Sequence, residues 1–145
     1  MALPEPVPGL VIRYAYLWHD EARRGREEGA KDRPCAVVLA LRREGGGTTV
    51  VVAPITHSPP RDDRTSVKIP AATKRRLGLD EAASWIVTDD VNAFLWPGPD
   101  LRPIPGEAPA RFAYGLLPAA LTERMLTSVR ANARARRLAQ TPREP

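Results

Sequence analysis

The chain has 145 residues, a length that fits one domain, and a hydrophobic content of 43%, which is enough for a real core. A net charge of +5 suits a polyanionic partner such as nucleic acid, because clustered cations release counterions from phosphates. The composition argues against several classes. No apolar run approaches the roughly 18 residues of a membrane span, the single Cys35 allows no internal disulfide, and the opening MALPEPVPGL lacks the basic and apolar regions of a signal peptide. A cytoplasmic protein away from any membrane is therefore expected. Two histidines and one cysteine offer no zinc spacing, and no cofactor is expected.

Residues 9–18, GLVIRYAYLW, carry β-branched and aromatic residues in rough alternation and predict a strand. HDEARRGREEGAKDRP is charged almost throughout and reads as a long exposed loop, and such loops are often functional. CAVVLAL is a continuous apolar run, expected as a central strand buried on both faces, with Cys35 an inert buried thiol. REGGGT is turn chemistry, and TTVVVAPIT is the returning strand, with Pro54 suggesting an edge or a bulge. The three glycines join strand to strand, not strand to helix, so they form no phosphate cradle.

HSPPRDDRT is a second loop and SVKI a short strand. In PAATKRRLGL, proline at a first helical position and Gly78 as a stop predict one or two helical turns. SWIVTDDVNAFLW reads as a strand, kinked at Asp89 and Asp90, and the proline-rich PGPDLRPIPGEAP is a connection. Leu117, Leu121, Met125 and Val129 recur every four residues and mark one face of a terminal helix extending to Arg137. Its arginines suit the macrodipole at a solvated helix end. Short apolar strands need closure or a second layer to hide their edges. The expectation is mainly β with helices (α+β): an SH3-like small antiparallel barrel with a C-terminal α-helix. A single domain over 1–145 is expected, with a core of about 8–138 and a flexible basic tail at 139–145.

These pieces, in this order, resemble the PemK/MazF toxins of bacterial toxin–antitoxin systems. The resemblance rests on GLVIRYAY, the charged loop, DRPCAVVLAL, VVVAPITH and LGLDEAASWIVTDDVNAF, and spans about residues 8–137. It implies a homodimer and a sequence-selective endoribonuclease that cleaves single-stranded RNA without a metal and is neutralised by an antitoxin protein. It maps the catalytic arginine, before the proline of the second strand, onto Arg33, and the catalytic hydroxyl, ending the third strand, onto Thr56. The chain departs from the family at DDVNAF, where Val91 and Asn92 stand in place of a glutamine and an arginine.

The chemistry suits these residues. RNA supplies its own nucleophile, the 2′-hydroxyl, so a ribonuclease must take that proton, stabilise phosphoryl charge and protonate the leaving oxygen. Arginine offers a fork of donors matched to phosphate. Antiparallel pairing brings the far ends of the two strands, and hence Arg33 and Thr56, to one mouth. The alternatives are a surface arginine paired with Asp32 or a loop glutamate, and a hydroxyl bonded to backbone. His57 suits proton transfer, although on a regular strand it faces away from Thr56. Arg23, Arg24, Arg26, Lys31 and His19 are candidate RNA contacts, or members of a self-paired solvated loop. Trp18, Trp85 and Trp96 either stack bases or pack the core. Two other functions compete: a protein-binding inhibitor like the CcdB toxins, which poison DNA gyrase, and a non-catalytic SH3-like RNA-binding protein.

Overall fold

The computed structural model describes residues 3–26 and 31–143. The elements run β1 (Leu10–Tyr16), α1 (His19–Arg23), β2 (Lys31–Arg42), β3 (Thr48–Thr56), a 3₁₀ turn (Asp63–Thr65), β4 (Ser66–Lys68), α2 (Ala71–Leu77), β5 (Trp85–Val87), β6 (Asp90–Leu95), β7 (Ala113–Leu116), α3 (Ala119–Arg134) and β8 (Ala139–Pro142). The fold is α+β, mainly antiparallel sheet with a C-terminal helix, as the sequence predicts. The hydrogen-bonded path runs β4–β5–β3–β2–β1–β7, with β6 on β3 and β8 on β6. Among the described residues this path does not return on itself, so the sheet is not closed into the expected barrel.

β2 is the central strand, between β1 and β3. Alternation sends Leu10, Ile12, Tyr14, Cys35, Val37, Val50 and Val52 into one core with Phe94 and Leu101. Val11, Ala36, Val38, Ala53 and Ile55 point to the other face, under Leu121, Met125 and Val129 of α3. Both faces are thus buried along Cys35–Val38 and Val52–Ile55, as continuous apolar runs predict, but toward the glycine turn the expectation fails: Leu39 is 42% and Leu41 54% exposed. Gly45, Gly46 and Gly47 all have positive φ in the β2–β3 turn, which β-branched residues could not supply.

Several expectations are corrected. The irregularity in the hairpin lies between Val37 and Leu39, not at Pro54, which pairs in register with Cys35. The charged segment expected as loop contains the short helix α1 and the start of β2; residues 27–30 lie outside the described residues. The expected kink at Asp89 and Asp90 is a full break between β5 and β6. β7 was not anticipated: its short AYGL segment becomes a strand by pairing with β1. The tail, expected to be flexible, forms β8, parallel to β6, and buried Arg143 donates to Asp100 at 2.8 Å.

Polar side chains lock the joints. Buried Asn92 donates to the carbonyl of Leu17 at 2.7 Å and accepts from its N–H at 3.0 Å, holding the β1–α1 junction. Buried Asn132 of α3 donates to the carbonyls of Arg64 and Thr88. Asp90 accepts from the Tyr16 hydroxyl at 2.5 Å and the His19 N–H at 3.4 Å. Burial pushes the Asp90 carboxyl up to about 6, against an ordinary 3.8, while those hydrogen bonds pull the other way.

A raised folded value means that the native state binds the Asp90 proton more tightly than the unfolded chain. The associated stability is present below the ordinary value and is lost as pH rises through the folded one, a change of about 3 kcal/mol. The stability difference between the wild type and Asp90→Asn, measured by urea denaturation, should shift against the wild type by about that amount between about pH 4 and pH 7. A difference that stays constant with pH would contradict the assignment.

Candidate active site

The sequence of β2 and β3 builds one mouth. Cys35 pairs with Pro54, Ala36 with Ala53 and Val37 with Val52. Continued by two residues, this register sets Arg33 opposite Thr56, at the end of the hairpin away from the glycine turn. There the strands open into a cleft of about 650 Å³. Arg33, Thr56, His57 and Lys31 line it together with Trp18, Asp32, Arg13, Lys74, Asp80, Ser84 and Tyr114. Four permanent cations face two carboxylates, so the mouth favours an anion.

Arg33 is half-buried, and its guanidinium carbon lies 5.3 Å from the centroid of the Trp18 ring, within reach of a cation–π interaction. Its Nε is buried and has no hydrogen-bond partner among the described residues. The pairing with Asp32 is not made: Asp32 instead lies 3.9 Å from Arg102. The Thr56 oxygen accepts the Ser58 N–H at 3.2 Å. An acceptor bond to backbone leaves the hydroxyl hydrogen free to donate, so the two readings of Thr56 are compatible.

His57 corrects the alternation argument. β3 ends at Thr56, the chain turns, and His57 lines the same cleft instead of the opposite face. Its Nε2 lies 2.7 Å from Asp80 Oδ2. Asp80 Oδ1 accepts from Lys74 Nζ at 2.6 Å and from the Ala82 N–H at 3.2 Å. Lys74 also donates to Ser84 Oγ at 2.6 Å and to the Ala82 carbonyl. The Lys74 ammonium hydrogen bond, with its charge, is the main reason that the Asp80 carboxyl sits below the usual carboxylate range.

The remaining basic candidates separate. Lys31 reaches the cleft; Arg23, Arg24 and Arg26 are exposed and do not line it, and Arg26 pairs with Glu21 at 3.0 Å. His19 sits at the start of α1, with Nδ1 3.4 Å from Thr141 Oγ1 of β8, and is also absent from the lining. Trp18 is the tryptophan of the cleft. Trp96 packs on Phe94, with ring centroids 6.1 Å apart, and Trp85 lies 5.8 Å from Lys68 Nζ. Val91 and Asn92 are buried and belong to the fold. Burial pushes the Cys35 thiol well up, against a smaller opposing pull from Arg33, as an inert core residue requires. Sequence reasoning missed Arg13, Lys74, Asp80 and Tyr114. Arg13 donates to the Tyr114 hydroxyl at 3.2 Å across the β1–β7 pair, and β7 carries no strand signal of its own. No group of three or more His, Cys, Asp or Glu side chains placed to hold a metal ion occurs among the described residues, and no helix there is long and apolar enough to cross a membrane.

The family described as "PemK-like, MazF-like toxin of type II toxin-antitoxin system" matches residues 14–94, more than half of the chain. The chain belongs to this family. The PemK/MazF match encloses Arg33, Thr56, His57, Lys74 and Asp80, and leaves only Arg13 and Tyr114 of the cleft outside it. A search of curated proteins finds no match to the chain. The PemK/MazF membership makes this a toxin whose system includes an antitoxin protein.

Lys74 is 4% exposed, and a buried ammonium is tolerated only when its donors are satisfied. Lys74→Met should lower stability by about 1–3 kcal/mol in urea denaturation, since it takes the ammonium from Asp80 Oδ1 and leaves the Ser84 hydroxyl and the Ala82 carbonyl only their 3.2 Å bond to each other. An unchanged midpoint would mean that these contacts do not hold the cleft wall.

Proposed function

We propose that this toxin is a metal-independent, sequence-selective endoribonuclease of single-stranded RNA. The observation that carries the reading is the convergence of Arg33 and Thr56 on one cationic cleft. A phosphodiester seated there meets the Arg33 guanidinium, which has no ion pair among the described residues, and a hydroxyl with an unspent proton. Both act on the non-bridging oxygens, where charge grows as the 2′-oxygen bonds to phosphorus and the bond to the 5′-oxygen breaks. Trp18 holds the guanidinium from one side, which limits the reorganisation needed in the transition state. The substrate brings its own nucleophile, so the reaction requires no metal-activated water.

The cleft accounts for the choice of strand. Its wall carries the Trp18 ring for stacking an unpaired base, and single-stranded RNA offers splayed bases to such surfaces. Lys31 and Arg13 extend the positive lining beyond Arg33. The antitoxin would neutralise the protein by laying a segment with acidic and apolar residues in this groove. A cytoplasmic homodimer completes the reading; pairing two chains would double the length of RNA in contact.

The test is incubation of purified protein with a long mixed-sequence RNA in chelator, followed by mapping of the new 5′ ends. Cleavage at a short recurrent motif is expected. Arg33→Ala should lower the rate at least 100-fold with the melting temperature unchanged. Thr56→Val should lower it about 100-fold, the worth of one preorganised donor of about 3 kcal/mol. If the wild type leaves the RNA intact, the ribonuclease reading falls, and a CcdB-like protein-binding inhibitor or a non-catalytic RNA-binding protein takes its place; if Arg33→Ala cuts normally, the cleavage does not arise at the Arg33–Thr56 cleft.

A further inference from the structure

We propose that Lys74 and Asp80 form a positioning relay that fixes the tautomer and orientation of His57, so that His57 Nδ1 takes the 2′-hydroxyl proton in RNA cleavage. The proposal rests on the ribonuclease reading above and adds two residues that it does not require.

The argument starts at the buried end. Lys74 has little exposure, and Asp80, Ser84 and the Ala82 carbonyl occupy its three donors. An ammonium with every proton engaged cannot wander. It fixes Asp80 through Oδ1, which also accepts the Ala82 N–H. Two bonds on one oxygen orient the other, and Oδ2 is the oxygen that meets His57 Nε2 at 2.7 Å.

A pair exposed on both sides is ordinarily weak, because water competes and two side chains lose freedom. Here one partner is already immobilised from inside the protein, so the ordering falls on His57 alone. An ionised carboxylate only accepts hydrogen bonds, and the Asp80 carboxyl is held below the usual carboxylate range. The proton on the neutral ring therefore sits on Nε2, and Nδ1 keeps its lone pair. Among the described residues Nδ1 has no hydrogen-bond partner, and His57 neighbours Thr56 in the cleft wall.

The step balances without an external redox partner. The 2′-oxygen forms a bond to phosphorus as its proton passes to Nδ1. The bond between phosphorus and the 5′-oxygen breaks, that oxygen takes a proton from water, and the imidazolium returns its Nδ1 proton to the hydroxide left behind. The products are a 2′,3′-cyclic phosphate and a 5′-hydroxyl. Asp80 faces the imidazolium formed in between and stabilises its charge. Asp80 and Lys74 act through His57 and are positioning residues.

The experiment combines kinetics with nitrogen NMR of the protein labelled at its histidines. His57→Ala should lose about 100-fold in cleavage rate. Asp80→Asn, nearly the same size and still able to accept from Lys74, presents an amide donor to Nε2 and should cost at least 10-fold. In His57→Ala/Asp80→Asn the second change should cost nothing further. The ring signal absent from His57→Ala should report a proton on Nε2 in the wild type at alkaline pH, and on Nδ1 in Asp80→Asn. If the wild-type ring carries its proton on Nδ1, or if Asp80→Asn cleaves at the wild-type rate while Arg33→Ala does not, the relay is overturned and the ribonuclease reading survives. If the wild type leaves RNA uncut, that reading fails as well.

Discussion

The register between β2 and β3 is the constraint on which the rest depends. A slip of one residue would turn Val37, Val50 and Val52 from one core to the other face and carry Arg33 away from Thr56. The register is defended from both sides: β1 and β7 lie on one flank, β5 and β6 on the other, and both faces of the hairpin are buried along Cys35–Val38 and Val52–Ile55. A charged side chain at the end of such a strand inherits the rigidity of the core. It needs no network of its own, and among the described residues the Arg33 Nε has no hydrogen-bond partner.

The second tier of organisation is polar. Asn92, Asn132, Asp90 and Lys74 each sit where two elements meet and satisfy backbone or side-chain groups that would otherwise be buried unpaired. Loops enter and leave the cleft, and loops have no ladder to define them. Lys74 links α2 to the loop that carries Asp80 and so braces the wall beside His57. Asn92 holds the junction from which Trp18 reaches over Arg33. The cleft is thus a rigid rim whose supporting polar contacts lie behind it.

Much of this was legible in the sequence, and the reasons are specific. The hairpin follows from two apolar runs about a glycine turn, and α3 follows from the four-residue spacing of Leu121, Met125 and Val129. α2 follows from Pro70 and Gly78: Gly78 stops it as expected, and Pro70 stands one position earlier than expected, at the N-cap before Ala71. The convergence of Arg33 with Thr56 is a consequence of antiparallel pairing. What escaped is tertiary in origin. β7 and β8 are short segments with no pattern of their own, made into strands by the edges they meet. Lys74 reads as one more cation in a basic helix, because nothing local signals that its ammonium points inward. Asp80 falls in an ordinary polar loop. Alternation would turn His57 away only on a regular strand, and β3 ends one residue before it, which no local signal marks.

The most direct test of the central geometry is a structure of the protein with a short RNA whose scissile 2′-hydroxyl is replaced by hydrogen. The account predicts a phosphate held between the Arg33 guanidinium and the Thr56 hydroxyl, with the sugar edge turned toward His57. A phosphate bound instead along the arginines of α3, with the β2–β3 mouth empty, would contradict it.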